Sequence, residues 1–559
     1  MKVRNLIIVI GLCVLCNIAY AQEPDWLWAK SAGGTEEDLG NSITTDCNGN
    51  SYIVGSFFDS ANFGSITLTS SGYCDVFIAK TDTAGNWIWA KRAGGTDFDK
   101  CSDISQDANG NLYITGYFSG TATFGSTSLT SCGNYDIFVA KMDTEGNWLW
   151  ASSAGGPDSD HGDYGKAIIT DANGDLYVTG MFNSAATFGS NILISNGESD
   201  IFVAKIDTDG NWLWAKQAGG SFWDYGLDIT TDADGNSYVT GMFFLSASFG
   251  SITVTGTMLG DIFVAKIDAD GNWIWAKEAG GGDWNEGYGI DIDANGNLYI
   301  TGFFGSTATF GSTTLTSNGY EDIFLAKMDA NGNWLWAKGT GGNDEDDRGI
   351  DIITDTNGNS YVTGYFSGSA SFGSTTLTSS GNYDIFVAEM DADGNWILAK
   401  QAGGSSNDEG TGISLDNSSN SYITGAFQNI ANFGNTTLIS NGDRDIFVAK
   451  IGEETGTSVD DDYALENRML LLANYPNPFN PQTTISYSIP HNGKVSIEIY
   501  NIRGQRIKTL INNDMPAGYH SVVWDGKDEN GKPVSSEIYL YKLKVGDKYT
   551  KIKKMILLK

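Results

Sequence analysis

A repeating unit of about 62 residues runs through most of this 559-residue chain and limits the folds that it can adopt. Each unit has a segment that opens with tryptophan, and these begin at Trp26, Trp87, Trp148, Trp212, Trp273, Trp334 and Trp396. Each unit also has an Asp-(Ile/Val)-Phe motif, at Asp75, Asp136, Asp200, Asp261, Asp322, Asp384 and Asp445. Both columns have seven members, which indicates seven copies of one supersecondary unit.

Four short segments in each unit have the alternation and the β-branched or aromatic residues of strands. In the fourth unit they are residues 212–218, 227–231, 237–243 and 261–267. Glycines in the Asp-x-Asp-Gly-Asn joints suit tight hairpin turns, and an insert around Phe249-Gly250 predicts a small hairpin or a long loop. Seven such units predict an all-β chain with a seven-bladed β-propeller at residues 22–451.

The order of the segments also predicts how the ring closes. The repeats begin with a Trp-x-Trp strand at 26–32 and end with an Asp-Ile-Phe strand at 445–451. The last unit therefore lacks one strand, which the first segment is expected to supply by strand exchange. Closure of this kind removes exposed sheet edges, which otherwise promote aggregation.

The composition fits such a fold and excludes some partners. The chain has 71 Gly, 27 Phe and 16 Trp, and its formal charge of -35 makes nucleic acid a poor partner. Trp-x-Trp pairs hold most of the tryptophans and place both rings on one face of a strand. We expect these rings to pack between blades.

The unit resembles the SBBP β-propeller repeats of secreted bacterial proteins. In the fourth unit the residues that carry the resemblance are Gly219-Gly220, Asp224-Tyr-Gly226, Ile229, Asp232, Gly235-Asn236, Tyr238 and Gly241. The resemblance spans residues 25–451 and implies a propeller and export, but no reaction. The seventh unit departs from the pattern, because Asp416-Asn-Ser-Ser-Asn420 lacks the turn glycine.

The N-terminus predicts export. Residues 1–21 combine Lys2 and Arg4 with an apolar stretch and a small-x-small ending, as signal peptides do, so we expect cleavage between Ala21 and Gln22. No later segment has the run of about 20 apolar residues that a transmembrane helix needs. We therefore expect an extracellular protein, released or attached to the outer-membrane surface, without a transmembrane segment.

After the repeats the composition changes. Residues 452–469 are acidic and aperiodic, which indicates a linker. Residues 470–559 hold 13 Lys and Arg against 7 Asp and Glu, so the acidity of the chain belongs to the propeller and the linker. Strands expected near 483–489, 494–500, 506–511, 519–524 and 538–545 predict a small Ig-like β-sandwich in this tail.

The tail resembles the C-terminal type A sorting domains of the type IX secretion system, a family related to the Ig-like domain of flagellar hook-capping proteins. The resemblance rests on Asn474-Tyr-Pro-Asn-Pro-Phe-Asn-Pro481, Trp524-Asp-Gly-Lys527 and the terminal residues 554–559. It implies that the type IX secretion machinery is a partner of residues 470–559. Ser536-Glu537 departs from the Ser-Gly of the family, and an Ig-like module without a targeting role is the alternative.

The loops between each Gly-Gly pair and the next innermost strand differ among the units and are expected on one face. Trp223 and Trp284 are the propeller tryptophans outside the columns, and they lie in equivalent loops of consecutive units. The predicted ligand-binding face consists of Phe222, Trp223, Asp224, Tyr225, Trp284 and Tyr288. Exposed aromatic rings suit a glycan or a peptide, and capping of the blade packing is the alternative.

One polar position stands five residues before the innermost-strand isoleucine of each unit. Its members predict a ring of carboxylates at the mouth of the channel: Asp38, Asp99, Asp163, Asp224, Asn285, Asp347 and Asp408. These side chains either cap the adjacent turn or bind a cation or a cationic peptide.

The acidic residues of the hairpin turns are candidate calcium ligands. Asp232, Asp234, Asp268 and Asp270 offer oxygen ligands, but their loops lack the glycine and the distal glutamate of an EF-hand. A hairpin turn needs no metal, so we expect no cofactor, with calcium as the alternative.

Other chemistry has little support. The propeller contains one histidine, His161, which argues against a Ser-His nucleophile and against zinc. Four cysteines follow the signal sequence, and in an exported protein Cys74 and Cys101 are the pair that we expect to form a disulfide.

These features predict a monomeric, exported propeller that binds a glycan or a protein ligand. One alternative is a secreted glycan hydrolase or lyase with carboxylates on the channel face, and another is a purely structural surface or adhesion component. A close pair of carboxylates in a deep pocket below the two tryptophans favours the enzyme, and a shallow aromatic face favours binding.

Overall fold

In a computed structural model of the protein, the described residues are 23–158, 160–343, 346–453, 471–475, 477–489, 493–515, 518–545 and 549–558. They form strands and turns and no helix, so the all-β prediction is confirmed, and no described helix can span a membrane. The predicted signal sequence and nearly all of the predicted linker lie outside the described residues. The chain divides into two compact units, Met1–Glu454 and Thr455–Lys559.

The first unit contains seven groups of antiparallel strands, which we call blades 1 to 7. Each has four main strands, and blades 2, 4, 6 and 7 also have two short strands that form a separate hairpin. The first strand, β1 (Asp25–Ala32), joins blade 7. Blade 1 contains β2 (Asp38–Thr45), β3 (Ser51–Phe63), β4 (Ile66–Thr81) and β5 (Trp87–Ala93). Blade 2 contains β6 (Asp99–Gln106), β7 (Leu112–Phe118), β8 (Thr121–Phe124), β9 (Thr127–Thr130), β10 (Asp136–Met142) and β11 (Trp148–Ala154). Blade 3 contains β12 (Tyr164–Thr170), β13 (Leu176–Phe188), β14 (Asn191–Ile206) and β15 (Trp212–Gly219).

The remaining blades repeat this order. Blade 4 contains β16 (Tyr225–Thr231), β17 (Ser237–Phe243), β18 (Ser246–Phe249), β19 (Ile252–Thr255), β20 (Asp261–Ile267) and β21 (Trp273–Gly281). Blade 5 contains β22 (Asn285–Ile292), β23 (Leu298–Phe310), β24 (Thr313–Met328) and β25 (Trp334–Thr340). Blade 6 contains β26 (Arg348–Thr354), β27 (Ser360–Phe366), β28 (Ser369–Phe372), β29 (Thr375–Thr378), β30 (Asp384–Met390) and β31 (Trp396–Gly404). Blade 7 contains β32 (Asp408–Leu415), β33 (Ser421–Phe427), β34 (Ile430–Phe433), β35 (Thr436–Ile439) and β36 (Asp445–Gly452).

The innermost strands β2, β6, β12, β16, β22, β26 and β32 form a closed cycle. Each packs against the next in chain order, and β32 packs against β2. Buried side chains of neighbouring blades fill the space between them; Val54 and Ile78 of blade 1, for example, join Ile104 and Phe138 of blade 2 in one cluster. The seven innermost strands therefore surround the central axis of the ring, and several of their side chains are partly exposed.

Strand β1 supplies the fourth strand of blade 7. It pairs antiparallel with β36 from Asp25 with Gly452 to Ala32 with Ile446. The indole Nε1 of Trp26 donates to the carbonyl of Gln401 in blade 6 at 3.1 Å, and the Trp26 ring packs edge-on to Phe433 at 5.1 Å. The first strand of the chain is therefore part of the last sheet and also contacts the blade before it.

The Trp-x-Trp rings pack between blades, as the sequence predicts. The first Trp of a pair reaches back to the preceding blade, as Trp273 Nε1 does to the carbonyl of Gln217 at 3.3 Å. The second reaches forward to a turn of the following blade, as Trp214 Nε1 does to the carbonyl of Ala269 at 3.0 Å. These rings are half-buried between neighbouring sheets, where they contribute to blade packing rather than to a binding surface.

The Gly-Gly pairs mark a close approach between blades. The insert of each unit folds as a small hairpin, whose strand pairs with the end of the preceding blade's outer strand, as at Gly219 and Ser248. A Cβ on Gly220 would lie 1.9 Å from the carbonyl oxygen of Ser246, so only glycine allows this contact.

The second unit is a two-sheet β-sandwich. One sheet has the order β37-β38-β41 and the other has the order β40-β39-β42-β43. The strands are β37 (Leu471–Tyr475), β38 (Thr483–Ile489), β39 (Gly493–Asn501), β40 (Arg506–Met515), β41 (Gly518–Trp524), β42 (Ile538–Val545) and β43 (Tyr549–Ile556). Trp524, Tyr539, Tyr541 and Phe479 are fully buried in its core. The sequence predicts five of these strands and misses the first and the last.

Candidate functional site

Two of the loops that follow the Gly-Gly pairs carry an exposed tryptophan; we call this side of the ring the Gly-Gly face. Trp223 is 44% exposed and Trp284 is 45% exposed, which is unusual for the largest apolar side chain. Phe222 and Tyr225 are partly buried beside Trp223, whereas Asp224 is fully buried and takes no part in the surface.

Main-chain hydrogen bonds hold both tryptophans in place while their rings remain exposed. The amide of Asp224 donates to the carbonyl of Ser199 at 2.9 Å, which fixes the loop at Trp223. The amide of Gly305 donates to the carbonyl of Trp284 at 2.9 Å. The backbone is thus ordered in advance, and a ligand that binds here does not have to order it.

Phe244 connects the two tryptophans. The Trp223 and Phe244 rings lie 6.2 Å apart with an edge-on orientation. A Cβ on Gly260 would lie 3.4 Å from Trp284 and 3.5 Å from Phe244, so both rings cover this glycine. We call Trp223, Phe244 and Trp284 the aromatic face. The sequence does not predict Phe244, because it lies in a hairpin of blade 4 rather than in a Gly-Gly loop.

Further apolar and open surface adjoins the same loops. Met258 is 68% exposed and Leu259 is 51% exposed, directly before Gly260. A separate cavity of about 590 Å³ on blades 5 and 6 is lined by Tyr320, Asn343, Ser367, Gly368, Ser379, Gly381 and Asn382. The Gly-Gly face therefore has a shallow aromatic surface and an adjacent polar hollow on blades 4 to 6.

The carboxylate of Glu286, on the innermost strand of blade 5, contacts Trp284. The indole Nε1 of Trp284 donates to Glu286 Oε1 at 2.7 Å, and Glu286 is 6% exposed. Burial raises the pKa of Glu286, although hydrogen bonds from Tyr288 and Trp284 oppose the rise. Tyr288 packs on Phe303 with ring centroids 5.8 Å apart and is partly buried. Glu286 thus anchors both predicted aromatic residues of this loop.

A second carboxylate, Glu321, is paired with Arg348. Arg348 Nη2 lies 2.6 Å from Glu321 Oε2, and its guanidinium lies over the Phe303 ring at 4.4 Å. Burial raises the pKa of Glu321 to about 7, against the lowering effect of Arg348. Both carboxylates below the aromatic face are therefore held by protein donors, which suits a positioning role better than catalysis.

The predicted ring of carboxylates does not open to the channel mouth. All seven side chains of this position are at most 2% exposed. Asp224 is typical: Oδ2 accepts from the amide of Gly220 at 2.6 Å and Oδ1 from the amide of Phe244 at 3.1 Å. The prediction of an accessible ring is wrong, because the backbone amides of the Gly-Gly turn and of the adjacent hairpin draw these carboxylates between the blades.

Each of these aspartates faces an Asp-(Ile/Val)-Phe aspartate of the preceding blade. A Cβ on Gly219 would lie 2.7 Å from Asp200 Oδ1 and 3.0 Å from Asp224 Oδ2, so the first glycine of the Gly-Gly pair separates two carboxylates. Burial raises the pKa of Asp224 to about 7, and the charge of Asp200 adds to this. Among the described residues, Asp200 Oδ1 has no hydrogen-bond partner.

The Asp-rich hairpin turns are closed by their own hydrogen bonds. Asp232 Oδ1 accepts from the amides of Asp234 and Asn236, and Oδ2 accepts from the hydroxyl of Tyr238 at 2.9 Å. Asp268 accepts the equivalent amides of Asp270 and Asn272. No group of three His, Cys, Asp or Glu within the described ranges has a metal-binding geometry. These contacts favour turn chemistry over calcium at the candidate residues.

The expected Cys74–Cys101 disulfide is not formed. All four described cysteines are free, and both members of this pair are buried. Cys101 Sγ lies 3.4 Å from the carbonyl oxygen of Thr115, and burial raises the pKa of both thiols. The two residues lie in different blades, and each thiol packs as a small apolar side chain in its own surroundings.

Comparison with known families agrees with this architecture. The profile of the SBBP β-propeller repeat matches residues 399–426, and the profile of the FlgD Ig-like domain matches residues 482–548. The chain carries β-propeller repeats and an Ig-like domain. The SBBP profile matches a single stretch of the propeller. That stretch covers part of the outer strand of blade 6 and most of two strands of blade 7.

Two curated proteins are similar in sequence. An uncharacterized WD repeat-containing protein, L264, of Acanthamoeba polyphaga mimivirus is 25% identical over 540 residues, with 76% of this chain and 38% of that protein covered. The regulatory protein FlaEY of Caulobacter vibrioides is 26% identical over 174 residues, with 30% of this chain and 18% of that protein covered. The chain thus spans well under half the length of these relatives.

Solved structures show a distant likeness. PorZ, a surface component of the type IX secretion system of Porphyromonas gingivalis, aligns over 94% of this chain and 60% of its own at 13% identity, with a TM-score of 0.36. A fungal alcohol oxidase of the AA5 family aligns over 96% of this chain and 100% of its own at 11% identity, with a TM-score of 0.43. Neither likeness bears on the function of this chain.

Proposed function

We propose that the protein is an extracellular binding module whose propeller holds a glycan on the Gly-Gly face. The observation that carries the proposal is the aromatic face, in which Trp223 and Trp284 are exposed beside the partly buried Phe244 on a backbone that hydrogen bonds already hold. Planar rings that are exposed and ordered bind sugar faces with little loss of side-chain entropy. A peptide ligand and a purely structural role are the outcomes that the test must separate.

Binding is better supported than hydrolysis. A glycan hydrolase of the two-carboxylate type needs one free acid and one free carboxylate on either side of the scissile bond. Glu286 accepts from Trp284, and Glu321 is engaged by Arg348, so neither carboxylate is free. The face is also shallow at the tryptophans rather than a closed cleft.

Replacing both tryptophans is expected to weaken ligand binding strongly. In Trp223→Ala with Trp284→Ala, we expect at least a tenfold loss of affinity on an array of glycans and peptides, because stacking on two rings contributes about 1 kcal/mol or more at each. The matched control is Leu149→Ala with Leu335→Ala, which removes side chains that are 51% and 52% exposed on outer strands. Unchanged binding by the tryptophan variant, or loss in the control as well, contradicts the proposal.

We further propose that residues 470–559 act as a type IX sorting domain that delivers the propeller across the outer membrane. The support is the resemblance of the tail motifs and the match of its core to an Ig-like domain. A fluorescent reporter exported to the periplasm and fused to residues 470–559 is expected to reach the surface or the medium of a bacterium with this system. The same fusion without residues 554–559 is expected to stay in the periplasm, and equal release of both fusions would refute the role.

A further inference from the structure

A cluster of aromatic and basic side chains lies on blades 2 and 3. Lys100 is on β6, and Tyr117 is its ladder partner on β7. Tyr164 is on β12, and Lys166 is the unpaired residue of a bulge in the same strand. Tyr135 stands directly before β10. We call these five residues the lysine–tyrosine site.

The three tyrosine rings form one cluster. Ring centroids are 4.7 Å apart for Tyr117 and Tyr164, 5.3 Å for Tyr117 and Tyr135, and 5.8 Å for Tyr135 and Tyr164. The ammonium of Lys166 lies 5.6 Å from the Tyr164 ring centroid. The rings therefore form an aromatic wall beside an ammonium group.

The polar atoms of this cluster have no protein partners in the described part of the chain. No hydrogen bond from the hydroxyls of Tyr117, Tyr135 or Tyr164 to another described side chain or backbone group is formed, and neither Lys100 nor Lys166 makes an ion pair there. Other charged groups near the mouth are matched, such as Glu409 with Arg444 at 2.8 Å.

Lys166 is partly buried. Burial lowers the pKa of its ammonium, the charge of Lys100 lowers it further, and Glu286 of blade 5 opposes both effects. A partly desolvated ammonium without an ion pair is unfavourable unless an anion joins it.

We infer that the lysine–tyrosine site binds the carboxylate of an acidic sugar, with Lys100 and Lys166 contacting the carboxylate and the tyrosines contacting the sugar. Phenol hydroxyls offer hydrogen bonds to sugar hydroxyls, and the ring faces offer stacking. The net charge of -35 repels long polyanions, so a ligand with a single acidic group fits better. This inference rests on the proposed glycan function and adds a specificity to it.

The test is calorimetric titration of the full chain with D-galacturonate, D-galactose and sodium phosphate. We expect galacturonate to bind about tenfold or more tightly than galactose, since a hydrogen-bonded ion pair has that effect. Lys166→Met is expected to remove this preference with an unchanged or higher melting temperature, whereas Lys338→Met on the outer strand of blade 5 leaves it intact. The melting temperature of the Lys166 variant shows that a lost preference does not come from misfolding.

Three results would overturn the inference. If galacturonate binds no more tightly than galactose, the site has no specificity for an acidic sugar. If Lys166→Met keeps the preference for galacturonate, Lys166 does not contact the carboxylate. Phosphate binding as tight as galacturonate binding shows a general anion site without a sugar. If neutral glycans still bind through Trp223 and Trp284 in these cases, the proposed function stands; if no glycan of either kind binds, both fail.

Discussion

Raising the pH from about 5 to about 8 is expected to destabilise the propeller strongly, because buried pairs of aspartates between the blades must ionise. The six pairs are Asp445–Asp38, Asp75–Asp99, Asp136–Asp163, Asp200–Asp224, Asp322–Asp347 and Asp384–Asp408. In each pair burial raises the pKa of the second member from 3.8 to about 7, and the charge of the first member contributes.

The sign follows from proton linkage. These pKa values are higher in the folded state than in the unfolded chain, so folding takes up protons between about pH 4 and about pH 7. The favourable contribution is fully present below the unfolded pKa and is lost as the pH rises through the folded value. For each proton that folding takes up, the free energy of unfolding falls by about 1.4 kcal/mol for every unit by which the pH rises.

The hairpin turns act in the opposite direction at lower pH. The pKa of their first aspartate is lowered, because hydrogen bonds from the turn outweigh burial, at Asp82, Asp143, Asp207, Asp268, Asp329 and Asp391. Their contribution is present above the unfolded pKa and is lost as the pH falls through the folded value. We therefore expect maximal stability near about pH 4.

In one blade an asparagine already takes the place of one aspartate of the pair. In blade 5 Asn285 replaces the aspartate, and its Nδ2 donates to Asp261 Oδ1 at 3.4 Å. In five of the six acidic pairs the corresponding Oδ1 has no partner among the described residues: Asp75, Asp136, Asp200, Asp384 and Asp445. Replacing an unpaired carboxylate oxygen of this kind with an amide NH2 group supplies a hydrogen-bond donor and adds no charge.

Asp200→Asn tests this explanation. Urea unfolding at about pH 8 is expected to show a gain of about 1 kcal/mol or more, together with a smaller dependence on pH, because one buried charge is removed. Asp209→Asn, in an exposed turn, is the control and is expected to leave the pH dependence unchanged. Equal pH profiles for the two variants and the parent would show that the pairs do not control stability.

Deleting Trp26–Ala32 is expected to open the ring and destabilise the propeller by at least about 5 kcal/mol, since two tryptophan side chains lose their packing. The deletion removes nearly all of β1, so β36 keeps its pairing with β33 but becomes an exposed edge strand. It also removes the Trp26 contacts with Gln401 and Phe433. An exposed, unpaired strand edge favours association, so the truncated protein is also expected to aggregate.

Thermal unfolding and size-exclusion chromatography measure both effects. A synthetic peptide of residues 23–34 added to the truncated chain is expected to restore much of the melting temperature, because it can pair with β36. A peptide with Trp26 and Trp28 replaced by alanine is the control and is expected to restore less. A truncated chain that melts with the intact one and stays monomeric would rule out closure by this strand.

Much of the architecture is predictable because the repeat is a local pattern. The strands Ser237–Phe243, Asp261–Ile267, Thr483–Ile489 and Ile538–Val545 have the bounds that alternation and turn residues predict. β37 and β43 are missed: Leu471–Tyr475 lacks strict alternation, and Tyr549–Ile556 alternates with lysines that resemble a solvated tail.

The site is less predictable, because its contacts join residues from different blades. Trp223 and Trp284 stand out in the sequence as tryptophans outside the columns, but Phe244 lies between them in a hairpin, and Glu286 contacts Trp284 from an innermost strand. The Cys74–Cys101 pairing and the open carboxylate ring are wrong for the same reason. Strand alternation gives the side of a sheet, whereas blade packing decides which buried groups meet.

The sequence by itself determined the repeat, the turn chemistry and the interblade role of the Trp-x-Trp pairs, because each depends on residues close together in one unit. The tertiary structure decided which polar groups are satisfied. It buried Asp224 against Asp200 around Gly219, and it left Trp223 and Trp284 nearly half exposed. The physical reason is that desolvation and partner choice depend on the approach of neighbouring blades, which no single unit encodes.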